Sequence, residues 1–497
     1  MLVLDANIVP VKFRKNLIPA VFVLILFAAS EMAHAAKPVM VHYMPWFQTP
    51  YSLGTSSWGY HWTLNSPNYN PNIINGSGER EIASWYYPLI GPYDSLDPAV
   101  LEYHVLLMKL AGIDGVIVDW CGQDNYYDYG INNQRTLALF NYTRRAGLKF
   151  SLCYEDATIQ AEIAGGSMNG VNTATNPIAH AQQTMLYVQT NFFKDSSFLR
   201  LNNAPVFLNF GPAYFNADSD WVSIFSVLNA TNQPAFFTED NRLTPVITGA
   251  FDWPPMELSG GGTLTSSQLQ SYLADFEQNA KNQAWFSFVS SAFPRFHDFY
   301  AQAGVGSSYG YLDDANGSTL TNTLSRAMTN DSAIIQIATW NDFGEGTIVE
   351  PTLDYGYRDL GIIQNLRRQY LDSSFPYHTN DLAMAFRFYN LRKQYENNLA
   401  ISAELDRTFT NIVTGATSMA NLQLTGIESN HPMIYNLSYD GIKVQFLIGG
   451  YVASSVQVQV STNMTDWQTV QTFGASTNLS VFSINTAQAM CRFFRVQ

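Results

Sequence analysis

Three cysteines in 497 residues, Cys121, Cys153 and Cys491, rule out a disulfide framework, and their spacing fits no zinc site. Cys121 and Cys153 each fall near the end of a predicted strand, where buried free thiols are expected. Charge is scarce as well. Only 13% of the residues are Asp, Glu, Lys or Arg, and acids outnumber bases for a formal charge of −14. No basic patch extends beyond a few cations near the N-terminus, which excludes nucleic acid or an anionic membrane as a partner. No Gly-rich phosphate loop follows the first predicted strand, so a nucleotide-binding doubly wound sheet is disfavoured and no cofactor is expected. Apolar runs long enough to cross a bilayer are missing too. The longest, Leu17–Ala29, follows Lys12, Arg14 and Lys15 and precedes Ala33-His34-Ala35. That order predicts an export signal over residues 1–36, cleaved near Ala35/Ala36, a secreted or periplasmic protein, and no stable membrane insertion afterwards.

What the chain has in excess is aromatic side chains, 14% of the residues, with 28 Tyr, 32 Phe and 10 Trp. Part of that excess is core. The rest suits a cleft in which ring faces stack on the apolar faces of sugars. From Val39 onward, short apolar strands alternate with helical stretches. Strands are predicted at 39–47, 115–120, 149–155, 204–210, 234–239, 250–255, 285–293 and 333–340, and helices at 97–110, 133–146, 178–193 and 266–281. Eight strands with mostly helical connections predict a (β/α)₈ TIM barrel over residues 37–375. The connection from the fifth strand to the sixth is short and irregular. A helical linker, 376–429, is expected to pack on the barrel. Five short strands separated by Gly, Asn, Ser and Thr turns then predict a small all-β sandwich at 430–497.

The chain is organised around Ile334–Glu350, where a β-branched run leads to Trp340 and at once into a turn carrying Asp342 and Glu345. Barrel enzymes mount their reactive groups at the C-terminal ends of strands, so this acid pair is the leading candidate site. Cleavage of a glycosidic bond needs two such carboxyls, one to protonate the leaving oxygen and one to act as base or nucleophile. The plainer alternative makes Asp342 a helix cap and Glu345 a solvated surface acid.

Four stretches in order resemble glycoside hydrolase family 99, the endo-α-mannosidases, and the related family 71, the α-1,3-glucanases. The segment Tyr87–Pro98 is similar to family 99 before its first barrel helix and runs on through His104 and Gly112 to GVIVDW at 115–120. The third strand ends in Tyr154-Glu155. The stretch Asn341–Glu350 resembles the family 99 pattern N-E-W-x-E-G-T-x-I-E, while its WNDFGE portion is closer to family 71. The likeness covers roughly residues 38–370. It implies that Glu345 is the general acid, that Asp342 takes the place of the other carboxylate, and that an oligosaccharide or polysaccharide of α-mannan or α-glucan type is the substrate. Family 99 has Glu where this chain has Asp342, which draws the carboxylate back by about 1.5 Å and leaves retention or inversion open.

Around the pair, substrate contacts are expected from strand ends and from the long loop after the first strand. The strand-end and turn candidates are Glu155, Asn341, Trp340, Asp119, Asp252, Trp253 and His297. Tyr43 and Trp46 belong to the first strand, whereas Trp58, Tyr60, His61 and Trp62 lie in the loop and Tyr126 in the next one, beside Tyr127 and Tyr129. His42 reads as a core histidine or part of the cleft floor, and Glu350 as a loop anchor. The rival readings are a barrel that binds glycans without cleaving them, and a surface interaction protein whose C-terminal sandwich carries the function.

Overall fold

The computed structural model describes residues 37–165, 176–243, 247–429, 433–439, 443–449, 455–461, 465–474, 480–485 and 493–496. The expected export signal at 1–36, parts of the C-terminal strands and Cys491 lie outside the described residues. Cys121 and Cys153 are free thiols.

Eight parallel strands close on themselves: β1 (Val39–Tyr43), β2 (Gly115–Trp120), β3 (Lys149–Tyr154), β4 (Ala204–Asn209), β5 (Ala235–Glu239), β6 (Gly249–Phe251), β7 (Val289–Ala292) and β8 (Ile334–Ile337). Each pairs with the next, β3 pairs with β4, and β8 pairs back onto β1 through Val39 and Ile335, which completes a (β/α)₈ barrel. The near-continuous apolar composition of these strands follows from burial on both faces. Alternation along β1 sends Val39 and Val41 into the cluster shared with the outer helices. Met40 enters a second cluster with Ile117, Cys153, Val206 and Leu208, the packed barrel interior.

The helices follow from local chemistry. In α1 (Pro98–Ala111), Asp97 caps the N-terminus by accepting from the Ala99 N–H at 2.9 Å, Pro98 sits at the first position, and Gly112 closes the helix at φ +83°. The next connections carry α2 (Tyr129–Arg145), α3 (Thr158–Gly165) and α4 (Pro177–Val188), then α5 (Asp218–Phe225), α6 (Ser266–Asn282), α7 (Ser318–Thr329) and α8 (Arg358–Tyr370). Helices α3, α5, α7 and α8 do not stand out in the sequence. In α7 the reason is its Ser, Thr and Asn content, which lowers helix propensity while Leu320, Leu324, Ala327 and Met328 supply the buried stripe. The residues expected to extend α4 to 193 instead form one wide turn over Gln189–Phe193.

Four strands are shorter than their apolar runs, and the first of them, β1, ends at Tyr43 and leaves Trp46 in the following loop. β6 spans only Gly249–Phe251, so Asp252 and Trp253 lie beyond it; at its start Gly249 is pressed so close to the segment leading into β7 that a Cβ there would sit 1.8 Å from the Ser287 carbonyl oxygen. β7 covers four residues of a nine-residue run. β8 stops at Ile337 because the chain folds back on itself: the Thr339 N–H donates to the Thr347 carbonyl at 2.6 Å and the Glu350 N–H to the Trp340 carbonyl at 2.9 Å. Asp342 and Glu345 therefore sit inside a stapled turn rather than on the strand.

Beyond the barrel, α9 (Ala383–Gln394), α10 (Leu399–Val413) and α11 (Thr417–Ser429) bury Phe388, Leu405 and Leu424 in the same cluster as the outer barrel helices. Arg392 clamps Glu102 of α1 through two hydrogen bonds, at 2.8 and 3.1 Å. The C-terminal strands form two antiparallel three-stranded sheets. One holds β9 (Met433–Tyr439), β10 (Lys443–Gly449) and β13 (Ser480–Asn485); the other holds β11 (Val456–Ser461), β12 (Gln468–Phe473) and β14 (Phe493–Val496). Phe446 and Phe482 of the first sheet share an apolar cluster with Val456 and Val458 of the second, as in a small sandwich. Strand β13 is missing from the sequence-based count. Among the described residues, no helix is long and apolar enough to cross a membrane.

Candidate active site

The turn after β8 presents both acids at the C-terminal mouth of the barrel. Asp342 is 7% exposed, its N–H donates to Thr339 Oγ1 at 2.9 Å, and its Oδ1 accepts the Glu345 N–H at 3.0 Å. Glu345 is half-buried, with the Tyr300 hydroxyl 3.4 Å from its Oε1. Burial pushes both carboxyls up, but unequally. Backbone N–H groups of Glu345 and Gly344 oppose the shift in Asp342 and hold it at about 6. Glu345 lacks that help, faces the charges of Asp342 and Asp298, and lies well above the ordinary glutamate range. The pair is therefore biased to hold its proton on Glu345 and its negative charge on Asp342. That division of labour is what acid–base cleavage requires.

Other strand ends add to this field. Asp119, at the end of β2, is pushed up to about 8 by burial and by Asp342. Its Oδ2 lies 3.8 Å from His42 Nε2, and the other nitrogen of that ring is 3.3 Å from Gln336 Oε1. Burial lowers His42 to about 4, so the imidazole is neutral. Glu155, just past β3, is raised by burial and by Asp119. Glu239 at the end of β5 is pushed up to about 8 by burial and by the charges of Asp240 and Glu155. The strand-end rule that singles out Glu155 applies equally to Glu239, which sequence reasoning passed over. It also passed over Asp298 and Tyr300, whose signal was their place directly after the seventh strand.

Aromatic residues of the loops complete the mouth. Trp46 and His61 stack at 4.1 Å, and the exposed Tyr60 meets His61 edge-on. His297 stacks on the half-exposed Trp85 at 4.5 Å, while its backbone N–H donates to the Glu345 carbonyl at 2.8 Å. The Ser84 hydroxyl donates to the Phe343 carbonyl at 2.9 Å, which ties the long first loop to the acid turn.

Eight expected sugar contacts need correction. Tyr43, Trp62 and Trp340 are fully buried. Tyr43 bonds His104 at 2.9 Å, Trp62 donates to the Tyr93 carbonyl at 2.8 Å, and Trp340 packs against His104. Asn341 is a clamp: its Oδ1 accepts the Met44 N–H at 2.9 Å, and its Nδ2 donates to the Met44 carbonyl and the Tyr93 hydroxyl, each at 3.0 Å. Tyr93 donates onward to Glu350 at 2.7 Å, so Glu350 does anchor the loop. Asp252 staples β6 to β7, with its Oδ1 accepting the Ser291 N–H at 2.6 Å. Trp253 is 8% exposed and sits edge-on to His42 and Phe210 in the floor. Trp58 lines a different cleft, with Tyr51, Arg80, Tyr389 and Arg392. Tyr126 clusters with Tyr127 and Tyr129 over the end of α3, where a Cβ on Gly165 would lie 2.3 Å from the Tyr126 ring.

The raised carboxyls set the pH dependence of stability. Asp119 and Glu239 at about 8, Asp252 at about 7 and Asp342 at about 6 all bind protons more tightly folded than unfolded, where they titrate near 3.8 or 4.5. Between those limits the native state holds more protons, so unfolding free energy falls as pH rises. The urea midpoint is expected to be higher at about pH 5 than at about pH 8; a midpoint rising over that interval would contradict these assignments.

No family model matches the chain. It is similar to curated relatives called glycoprotein endo-alpha-1,2-mannosidase-like protein. The zebrafish (Danio rerio) relative is 22% identical over 349 residues, 66% of this chain and 74% of its own length. The human relative is 20% identical over 332 residues, 63% and 68% respectively. Among solved structures, the GH99 endo-alpha-mannosidase from Bacteroides thetaiotaomicron aligns at 20% identity and a TM-score of 0.49, covering 68% of this chain and 97% of its own.

Proposed function

We propose that this chain is a glycoside hydrolase that cleaves α-linked glycans, of α-mannan or α-glucan type, within the chain of the substrate. The observation that carries the reading is the unequal acid pair of one stapled turn, in which the Asp342 carboxylate accepts the Glu345 N–H and the proton is favoured on Glu345. Glu345 protonates the departing glycosidic oxygen. Asp342, whose charge is steadied by two backbone N–H groups, acts as the base or its equivalent on the opposite partner, whether water or a substrate hydroxyl. Tyr300 orients the acid, while Trp46, Tyr60 and His61 offer ring surface for sugar stacking. The similarity to endo-alpha-1,2-mannosidase-like proteins supports the substrate class.

The test is a screen of purified protein against α-mannans and α-glucans, with product anomers followed by NMR. Release of oligosaccharides that disappears in Glu345→Gln supports the proposal. Sugar binding without turnover in the unaltered protein overturns it and leaves the glycan-binding barrel. We further propose that the protein is exported and that cleavage near Ala35/Ala36 leaves a mature chain starting at about Lys37. Intact mass of the exported chain checks this, and a retained segment 1–36 sinks it.

A further inference from the structure

A second group of buried polar side chains plays no part in the glycosidase reading. Asp124 comes from the loop after β2, Glu162 from α3 and His180 from α4. Each offers one ligand-type atom, and these atoms all lie within 4.8 Å of one another. The three residues are 1%, 1% and 2% exposed. Asp124 Oδ2 is hydrogen-bonded to His180 Nε2, and Glu162 Oε2 lies 3.6 Å from the same nitrogen. Asp124 Oδ1 and Glu162 Oε2 are buried without a hydrogen-bond partner.

Charge is the difficulty. Among the described residues, His180 is the only cationic partner of either carboxylate, and the stretch 166–175 between the two helices contains no Lys or Arg. Two ionised carboxylates with one imidazole leave a net negative charge in a dry site, which costs several kcal/mol by general rule. A divalent cation relieves it completely, since two carboxylates and a neutral imidazole bring the total to zero. It also gives the unpartnered oxygens something to bind. One imidazole nitrogen and two carboxylate oxygens form a donor set for a first-row divalent ion, whereas Ca²⁺ seeks six to eight oxygens.

We propose that Asp124, Glu162 and His180 form a structural binding site for a first-row divalent cation, with Zn²⁺ preferred. Entry of the ion replaces the Asp124–His180 hydrogen bond with two metal–ligand bonds, and the proton of that hydrogen bond moves to the other ring nitrogen or to water. The ion would fasten the β2–α2 loop, which carries Tyr126 and Tyr127, to α3 and α4 beside the barrel mouth.

The experiment uses the full chain, stripped with chelator and titrated with Zn²⁺ by calorimetry under chelator competition. One ion per chain is expected at micromolar affinity or tighter, together with a raised Tm. Glu162→Gln and Asp124→Asn, which keep side-chain shape, should each weaken binding by about 100-fold or more and abolish the Tm increase. Absence of stoichiometric binding, or equal Zn²⁺ affinity in the unaltered protein and both variants, would overturn the proposal and leave a buried carboxylate–imidazole cluster. If neither variant keeps its far-UV circular dichroism, Co²⁺ added to the unaltered protein decides. Intense visible bands of a protein-ligated ion support the site, and the weak spectrum of aqueous Co²⁺ overturns it. The readout is metal occupancy, so the result is independent of whether the barrel hydrolyses glycans.

Discussion

Glu345→Gln is expected to lower kcat on an unactivated glycoside by about 10³-fold while leaving KM close to its original value. Gln keeps the size and the hydrogen-bonding contact to Tyr300 but has no proton to give. The leaving sugar alkoxide is then expelled unprotonated, which is the costly step. An aryl glycoside with an acidic phenol needs no such proton, so on that substrate the loss should shrink to about 10-fold or less. Comparison of the two substrates separates a missing acid from a damaged fold. Equal losses on both would remove Glu345 from the role of acid.

Asp342→Asn is expected to cost about as much, about 10³-fold in kcat, with no rescue by an activated leaving group. The substitution removes the charge that Asp342 carries at neutral pH and the acceptor facing the Glu345 N–H is only partly replaced by the amide oxygen. It also removes the main negative neighbour of Glu345 and Asp119, so both of those carboxyls should titrate lower than before. Asp342→Glu should retain part of the activity, because a longer side chain brings the carboxylate forward by about 1.5 Å. Steady-state kinetics on a poor and a good leaving group reads all three variants. An Asp342→Asn enzyme with near-normal turnover would assign the second carboxyl to another strand end, with Asp119 and Glu155 next in line.

The barrel was legible because its strands are buried on both faces, so that apolar runs mark them without alternation. What the runs did not mark was their ends. Glu350 and Thr347 pull the chain after Ile337 into a turn by pairing with Trp340 and Thr339, contacts between residues eight to ten apart that no short-range pattern reveals. The acid pair was readable from the abrupt change of Ile337-Ala338-Thr339-Trp340 to Asn341-Asp342-Phe343-Gly344-Glu345. Its aromatic surroundings were only half readable. A Trp or Tyr in a loop has the same letter whether it faces solvent, as Tyr60 does, or fills the core beneath, as Trp62 does. The difference is decided by Tyr93 and Phe343, which approach Trp62 from far along the chain. The Asp124, Glu162 and His180 group was invisible for the same reason: its members are far apart in sequence and meet only through the packing of α3 and α4 on the barrel.

The central claim, one protonated and one ionised carboxyl from the same turn acting on one bond, is tested most directly by the pH dependence of kcat/KM. A bell is predicted, with its acid limb near the value of about 6 set by Asp342 and its alkaline limb set by Glu345. Asp342→Asn should erase the acid limb, and Glu345→Gln the alkaline one, in the residual activity. A profile without two limbs, or limbs that stay in place when these two residues are changed, would contradict the account.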